Sequence, residues 1–222
     1  MSSPSEVKAV PIQAVIWDFG GVFTTSPFDA FSRYERERGL PADIIRRINS
    51  ANPDTNAWAK IERAEIDAAM FDRLFEDEAK LLGHMIPGKD VLALLSGALR
   101  PRVVAAFRAC KSRFKVGCIT NNAPTGKGAG MSSSSNKAQQ IAEVFSLFDH
   151  VIESSKAGVR KPDPRIYRMM CDALEVSPDA CVYLDDLGIN LKPAREMGMT
   201  TIKVVSEEQL LSDLSMAVGL AF

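Results

Sequence analysis

Five short apolar runs, each closed by polar residues and followed by a helical stretch, constrain this chain more than any other feature. The runs cover residues 12–17, 115–119, 150–152, 180–184 and 200–205 and are rich in β-branched or apolar side chains. Helical periodicity occupies residues 137–145, 165–174, 191–197 and 207–217. Strands alternating with helices of this length predict right-handed βαβ units and a parallel sheet covered on both faces. The expected fold class is α/β, a doubly wound parallel sheet.

One long stretch departs from the alternation. Helical periodicity runs from Phe28 to roughly Leu95, punctuated by Pro41 and Pro53. Within residues 62–82, Ile66, Met70 and Leu74, and likewise Ala68, Phe71 and Phe75, fall at helical spacings. The expected organisation is a core of residues 1–24 and 99–222, with a helical cap of residues 25–98 inserted after the first strand. Trp58, Phe71 and Phe75 either face a substrate or fill the cap's own core, the commoner fate of such residues. Residues 123–136 (APTGKGAGMSSSSN) have too little apolar surface to offset the entropy of ordering, so a mobile loop is expected. Its GKGAG lacks the GxxxxGK[ST] spacing of a nucleotide-binding loop, which sets aside a kinase or GTPase.

Bulk properties exclude several classes. A net charge of −1 over 222 residues creates no field to gather nucleic acid or an anionic membrane, so any phosphate must be bound locally. No apolar run approaches the ~20 residues needed to cross a bilayer, and the polar N-terminus lacks the apolar core of a signal peptide. Cys110, Cys118, Cys171 and Cys181 show no CxxC spacing and read as reduced thiols of a cytoplasmic protein. His84 and His150 stand in no metal-ligand pattern, and without a heptad seam the chain is expected to be a monomer or homodimer.

Ligands of open α/β sheets bind outside the carboxyl ends of the strands. The first run ends in Asp18, the second in Thr120, Asn121 and Asn122, and the fourth in Asp185 and Asp186; the loop after the third reaches Lys161. Three carboxylates at neighbouring strand ends repel one another. A hard cation such as Mg²⁺, which takes oxygen ligands, removes the conflict. Lys161 and Thr120 are then free to bind phosphoryl oxygens. Read singly, Asp18 is a turn or cap residue, Thr120 and Asn121 turn residues, Lys161 a loop lysine and Asn190 a helix cap.

Taken in order, Asp18-Phe19-Gly20-Gly21-Val22, Thr120-Asn121, Lys161-Pro162-Asp163-Pro164 and Leu184-Asp185-Asp186 with Asn190 resemble the four motifs of the haloacid dehalogenase superfamily. VRKPDPRIY and YLDDLGINLKPAREMGM resemble in particular the phosphatase domain at the N-terminus of soluble epoxide hydrolases and its bacterial relatives. The resemblance spans almost the whole chain, including the cap. It implies a Mg²⁺-dependent phosphatase acting on a small phosphorylated metabolite, with Asp18 as nucleophile forming an aspartyl-phosphate. It further implies that Thr120, Asn121, Lys161 and Asn190 hold the substrate. Asp18, the Gly20 carbonyl and Asp186 would bind the metal, with Asp185 bound through water or in support.

The chain departs from the pattern at Gly20, where such phosphatases carry a second aspartate as general acid and base. That help is worth ~10²–10⁴ in rate. Three outcomes stay open: the help comes from elsewhere, the leaving group needs little protonation, or the domain only binds a phosphorylated ligand. Asp29 and Glu35 cannot be placed relative to the site. A 2-haloacid dehalogenase would use the same Asp18 without metal, but the Asp185-Asp186 pair opposes a carboxylate substrate.

Overall fold

A computed structural model describes residues 10–124 and 135–222. Most of the predicted mobile loop, residues 125–134, lies outside the described residues. The strands are β1 (Ala14–Trp17), β2 (Lys115–Thr120), β3 (His150–Glu153), β4 (Cys181–Asp185) and β5 (Thr200–Lys203). All pair in parallel, in the order β3-β2-β1-β4-β5. The expected α/β sheet is present, with β1 at its centre.

Between Thr24 and Leu99, after β1, the chain leaves the sheet and forms five helices. These are α1 (Pro27–Glu37), α2 (Ile44–Ser50), α3 (Ala57–Glu62), α4 (Ala68–Leu81) and α5 (Gly88–Ala93). They share an apolar cluster that includes Phe31, Ile44, Ile48, Ile61, Phe71 and Phe75. Residues 62–82 are not one helical segment. Helix α3 stops at Glu62, Ala64 takes a left-handed φ of 57°, and Asp67 starts α4 by accepting from the Met70 N–H at 2.7 Å. That cap outweighs the apolar spacing, because a side-chain acceptor at an N-terminus satisfies a backbone donor that would otherwise lack a partner. Phe71 and Phe75 are fully buried in the insert, whereas Trp58 is only half-buried.

The remaining helices are α6 (Pro101–Lys111), α7 (Ser135–Phe145), α8 (Ser154–Ala157), α9 (Pro164–Leu174), α10 (Gly188–Glu196) and α11 (Glu207–Val218). Side chains of β1 alternate between the faces of the sheet. Val15 and Trp17 pack with Phe107, Ile141 and Leu214 of α6, α7 and α11. Ala14 and Ile16 pack with Tyr167, Met170 and Ala194 of α9 and α10. Burying such side chains is worth roughly 1.5–3 kcal/mol each, which is why β1 tolerates no polar residue before Asp18. Among the described residues no helix is long and apolar enough to cross a membrane.

The two segments that join insert and sheet lie side by side. Thr24 and Leu99 form an antiparallel bridge, the Thr25 N–H donates to the Ala98 carbonyl at 2.8 Å, and the Arg100 N–H donates to the Phe23 carbonyl at 2.8 Å. A Cβ on Gly97 would stand 2.8 Å from Thr24 Oγ1, so glycine is needed for this approach.

Candidate active site

Asp18 follows β1 directly, and its N–H donates to the Leu184 carbonyl at 2.8 Å, extending the β1–β4 ladder by one residue. Thr120 ends β2 and Asp185 ends β4, so the strands on either side of β1 bring their last residues beside Asp18. Lys161 arrives from the loop ahead of α9 and is buried, 1% exposed. Its ammonium donates to Asp18 Oδ1 and Asp185 Oδ2, each at 2.7 Å.

Asp185 is fully enclosed and both of its oxygens are engaged. Beyond Lys161 they accept from the Tyr183 hydroxyl, the Leu187 N–H at 2.8 Å and the Asn190 amide at 3.1 Å. Asn190 is therefore not the cap of α10, whose N-cap is Leu187; its amide is turned onto Asp185. Among the described residues, by contrast, no hydrogen bond reaches the second oxygen of Asp18 or the Thr120 hydroxyl, and the Asp186 carboxylate accepts only from its own backbone N–H. Ligand oxygens of Asp18, Asp185 and Asp186 lie within 4.8 Å of one another. Gly21, at φ 76°, permits this: a Cβ there would lie 2.6 Å from Asp186 Cγ.

The charges do not balance. Burial, with Asp185 and Asp186 adding to it against Lys161, pushes Asp18 up to about 8. Burial and then Asp185 push Asp186 up to about 6, with Lys161 and Arg100 opposing. Burial works to discharge Lys161, but Asp18 and Asp185 outweigh it and hold its pKa above the ordinary value. Three carboxylates thus face one ammonium. The uncommitted oxygens of Asp18 and Asp186 suit a small hard cation such as Mg²⁺, which prefers carboxylate, carbonyl and water ligands.

Above these groups lies a cavity of about 700 Å³ between sheet and insert. Asp18, Gly20, Thr120, Asn121, Lys161, Asp186 and Asn190 reach its wall; Asp185, Asp29 and Glu35 do not. Glu35 instead accepts from the Asp43 and Ile45 N–H groups and fixes the start of α2. Asn121 exchanges hydrogen bonds with the Lys161 backbone at 2.9 and 3.1 Å. The same amide reaches Glu62 of α3, which also accepts from Arg160 Nε at 2.6 Å and Trp58 Nε1 at 3.0 Å. Burial raises the pKa of Glu62 and Arg160 opposes it. This link from insert to sheet had no sequence signal, since its members lie 98 and 59 residues apart. Tyr183 did have one: two residues before Asp185 on a strand, it points to the same face.

Comparison with known proteins gives the family. The family model described as haloacid dehalogenase-like hydrolase matches residues 12–198. The chain belongs to that family. The hydrolase is 38% identical over 95% of its length to bifunctional epoxide hydrolase 2 of Rattus norvegicus, and spans only 40% of that relative. It is 29% identical to Phosphatase MT3486 of Mycobacterium tuberculosis, with 85% of each chain covered. A HAD family enzyme of Bacteroides thetaiotaomicron, solved with magnesium and inorganic phosphate, shares the fold at a TM-score of 0.58 and 16% identity, covering 88% of this chain and 96% of its own.

Proposed function

We propose that this hydrolase cleaves a small phosphomonoester through an aspartyl-phosphate on Asp18. The observation that carries the proposal is the placement of Lys161, whose buried ammonium bridges Asp18 and Asp185 beneath the cavity while Asp18 keeps one oxygen uncommitted. That oxygen attacks phosphorus. Lys161 offsets the charge gathered by nucleophile and phosphoryl group, and the Thr120 hydroxyl and Asn121 backbone hold the phosphoryl oxygens. Asp185, Tyr183 and Asn190 keep Lys161 in place.

Asp18, the Gly20 carbonyl and Asp186 are the groups assigned to Mg²⁺, with Asp185 in support because its oxygens are already engaged. When bound, the ion supplies positive charge against the charge developing on the phosphoryl group. The helical insert acts as a cap whose walls exclude water and select the organic part of the ester. Mycobacterial phosphatase similarity supports the reaction class. Four free, buried cysteines support a cytoplasmic location. A 2-haloacid dehalogenase is disfavoured because its carboxylate substrate would meet the unpaired Asp186.

The test is phosphate release from a panel of esters with Mg²⁺, for the parent and for Asp18→Asn. The variant is expected to release none above background. Equal release by both proteins removes Asp18 from the mechanism, and no release from any ester leaves a phospho-ligand binding module.

A further inference from the structure

Ester cleavage expels an oxygen that leaves either as an anion or with a proton from a nearby acid. At position 20, where the family's phosphatases carry that acid, this chain has glycine, and a Cβ there would meet nothing within 4 Å. The first carbon of a side chain would thus be free of contact there.

Nothing else on the wall, among the described residues, takes its place. Among the described residues, no histidine, cysteine or tyrosine lines the cavity. Apart from Asp18 and Asp186, its carboxyls are Asp54, which is exposed to solvent, and Glu62. Glu62 accepts hydrogen bonds from Trp58 on Oε1 and from Asn121 and Arg160 on Oε2, so both of its oxygens are turned to donors of the protein rather than to a leaving group. Arg46 and Arg160 are guanidinium groups, which do not deprotonate in proteins. Lys161 spends its ammonium on two carboxylates. Thr24, Asn49 and Ser50 add polar groups to the wall, but the remaining large side chains facing the space are apolar: Phe28, Phe31, Trp58, Ile61, Leu92 and Leu95.

We infer, resting on the phosphatase proposal, that the site is built for phosphate esters of acidic hydroxyls carried on apolar groups, that is, aryl or enol phosphates. As the Asp18 oxygen bonds to phosphorus, the phosphorus–oxygen bond to the leaving group breaks. The electron pair stays on the departing oxygen, which leaves as a phenolate or enolate and takes its proton from bulk water. A water molecule then attacks the phosphorus of the aspartyl-phosphate as the bond from phosphorus to the Asp18 oxygen breaks. Its oxygen keeps one proton on the released phosphate and gives the other to solvent, and Asp18 returns as a carboxylate.

The test measures kcat/KM of the full chain with Mg²⁺ on substituted phenyl phosphates and on cyclohexyl phosphate, an ester of similar bulk with a far less acidic hydroxyl. This ratio reports transition-state stabilisation relative to free enzyme and ester, up to the first committed step, and so responds to the leaving group. The expected result is a steep rise with leaving-group acidity and a loss of at least about 10²-fold on the cyclohexyl ester, the scale of a missing general acid. Gly20→Asp is expected to recover part of that loss; should it fail to fold, the slope of the parent decides. Equal kcat/KM on phenyl and cyclohexyl esters, with Asp18→Asn inactive on both, overturns this inference and leaves the phosphatase proposal standing. No Asp18-dependent release from any ester overturns both.

Discussion

Gly21→Ala is expected to weaken both the fold and the cation site, whereas Gly20→Ala next to it is expected to spare the fold. Gly21 sits at φ 76°, a conformation that costs an L-residue roughly 1–2 kcal/mol. For a domain of this size each kcal/mol shifts the melting temperature by about 2–4 °C, so the backbone alone lowers it by about 2–8 °C. The new Cβ would also lie 2.6 Å from Asp186 Cγ, closer than real Cβ atoms approach other heavy atoms. Asp186 must then swing away and take its carboxylate out of the cluster with Asp18. Disturbing the groups around a metal ligand typically costs 10–100-fold in affinity, so Mg²⁺ binding is expected to weaken by at least about tenfold. A Cβ at Gly20 meets nothing within 4 Å, and its φ is not positive. Calorimetric melting and Mg²⁺ titration of the two variants provide the comparison. Gly21→Ala with the parent's Mg²⁺ affinity, or Gly20→Ala with an equal fall in melting temperature, refutes the reasoning.

Two further outcomes follow from the same site. Asp18 at about 8 and Asp186 at about 6 lie above the ordinary carboxylate value, so the metal-free folded protein holds protons that the unfolded chain releases. The stability from these groups is complete below about pH 4 and is lost as pH rises through their folded values. Metal-free protein should therefore melt lower at about pH 9 than at about pH 5, with a larger gain from Mg²⁺ at the higher pH, where binding displaces fewer protons; a flat or rising profile contradicts this. Glu62→Gln keeps the shape but removes the charge facing Arg160, a hydrogen bond worth about 1.5–3 kcal/mol. It is expected to raise KM about tenfold or more with a smaller change in kcat and to speed hydrogen exchange in α3; unchanged KM and exchange would remove Glu62 from the cavity's closure.

The sheet was legible because each strand is an apolar run too short for a helix, and the reactive groups were legible because they end those runs. Asp18, Thr120 and Asp185 all close strands that are neighbours in the sheet. The division of labour between Asp185 and Asp186 came only with the family resemblance, because in the residues themselves it depends on which carboxylate the Tyr183 hydroxyl and the Asn190 amide reach. The break at residues 63–67 was hidden by apolar spacings that continue across it, while the Asp67 cap acts through one local hydrogen bond. Glu62 and Arg160 look like ordinary solvated charges in sequence. Only the approach of α3 to the loop before Lys161 makes them partners.

The paired segments at Thr24 and Leu99 place the insert's way in and way out one bridge apart. Such a junction makes the helical unit interchangeable. Joining residue 24 to residue 99 by a short turn closes the chain with little entropy loss and leaves every strand of the sheet in register. A different helical unit grafted at the same two residues would inherit Asp18, Lys161 and Asp186 as they stand. On the proposed function, the chemistry and the choice of ester can thus diverge independently, one held by strand ends and the other carried on an exchangeable part.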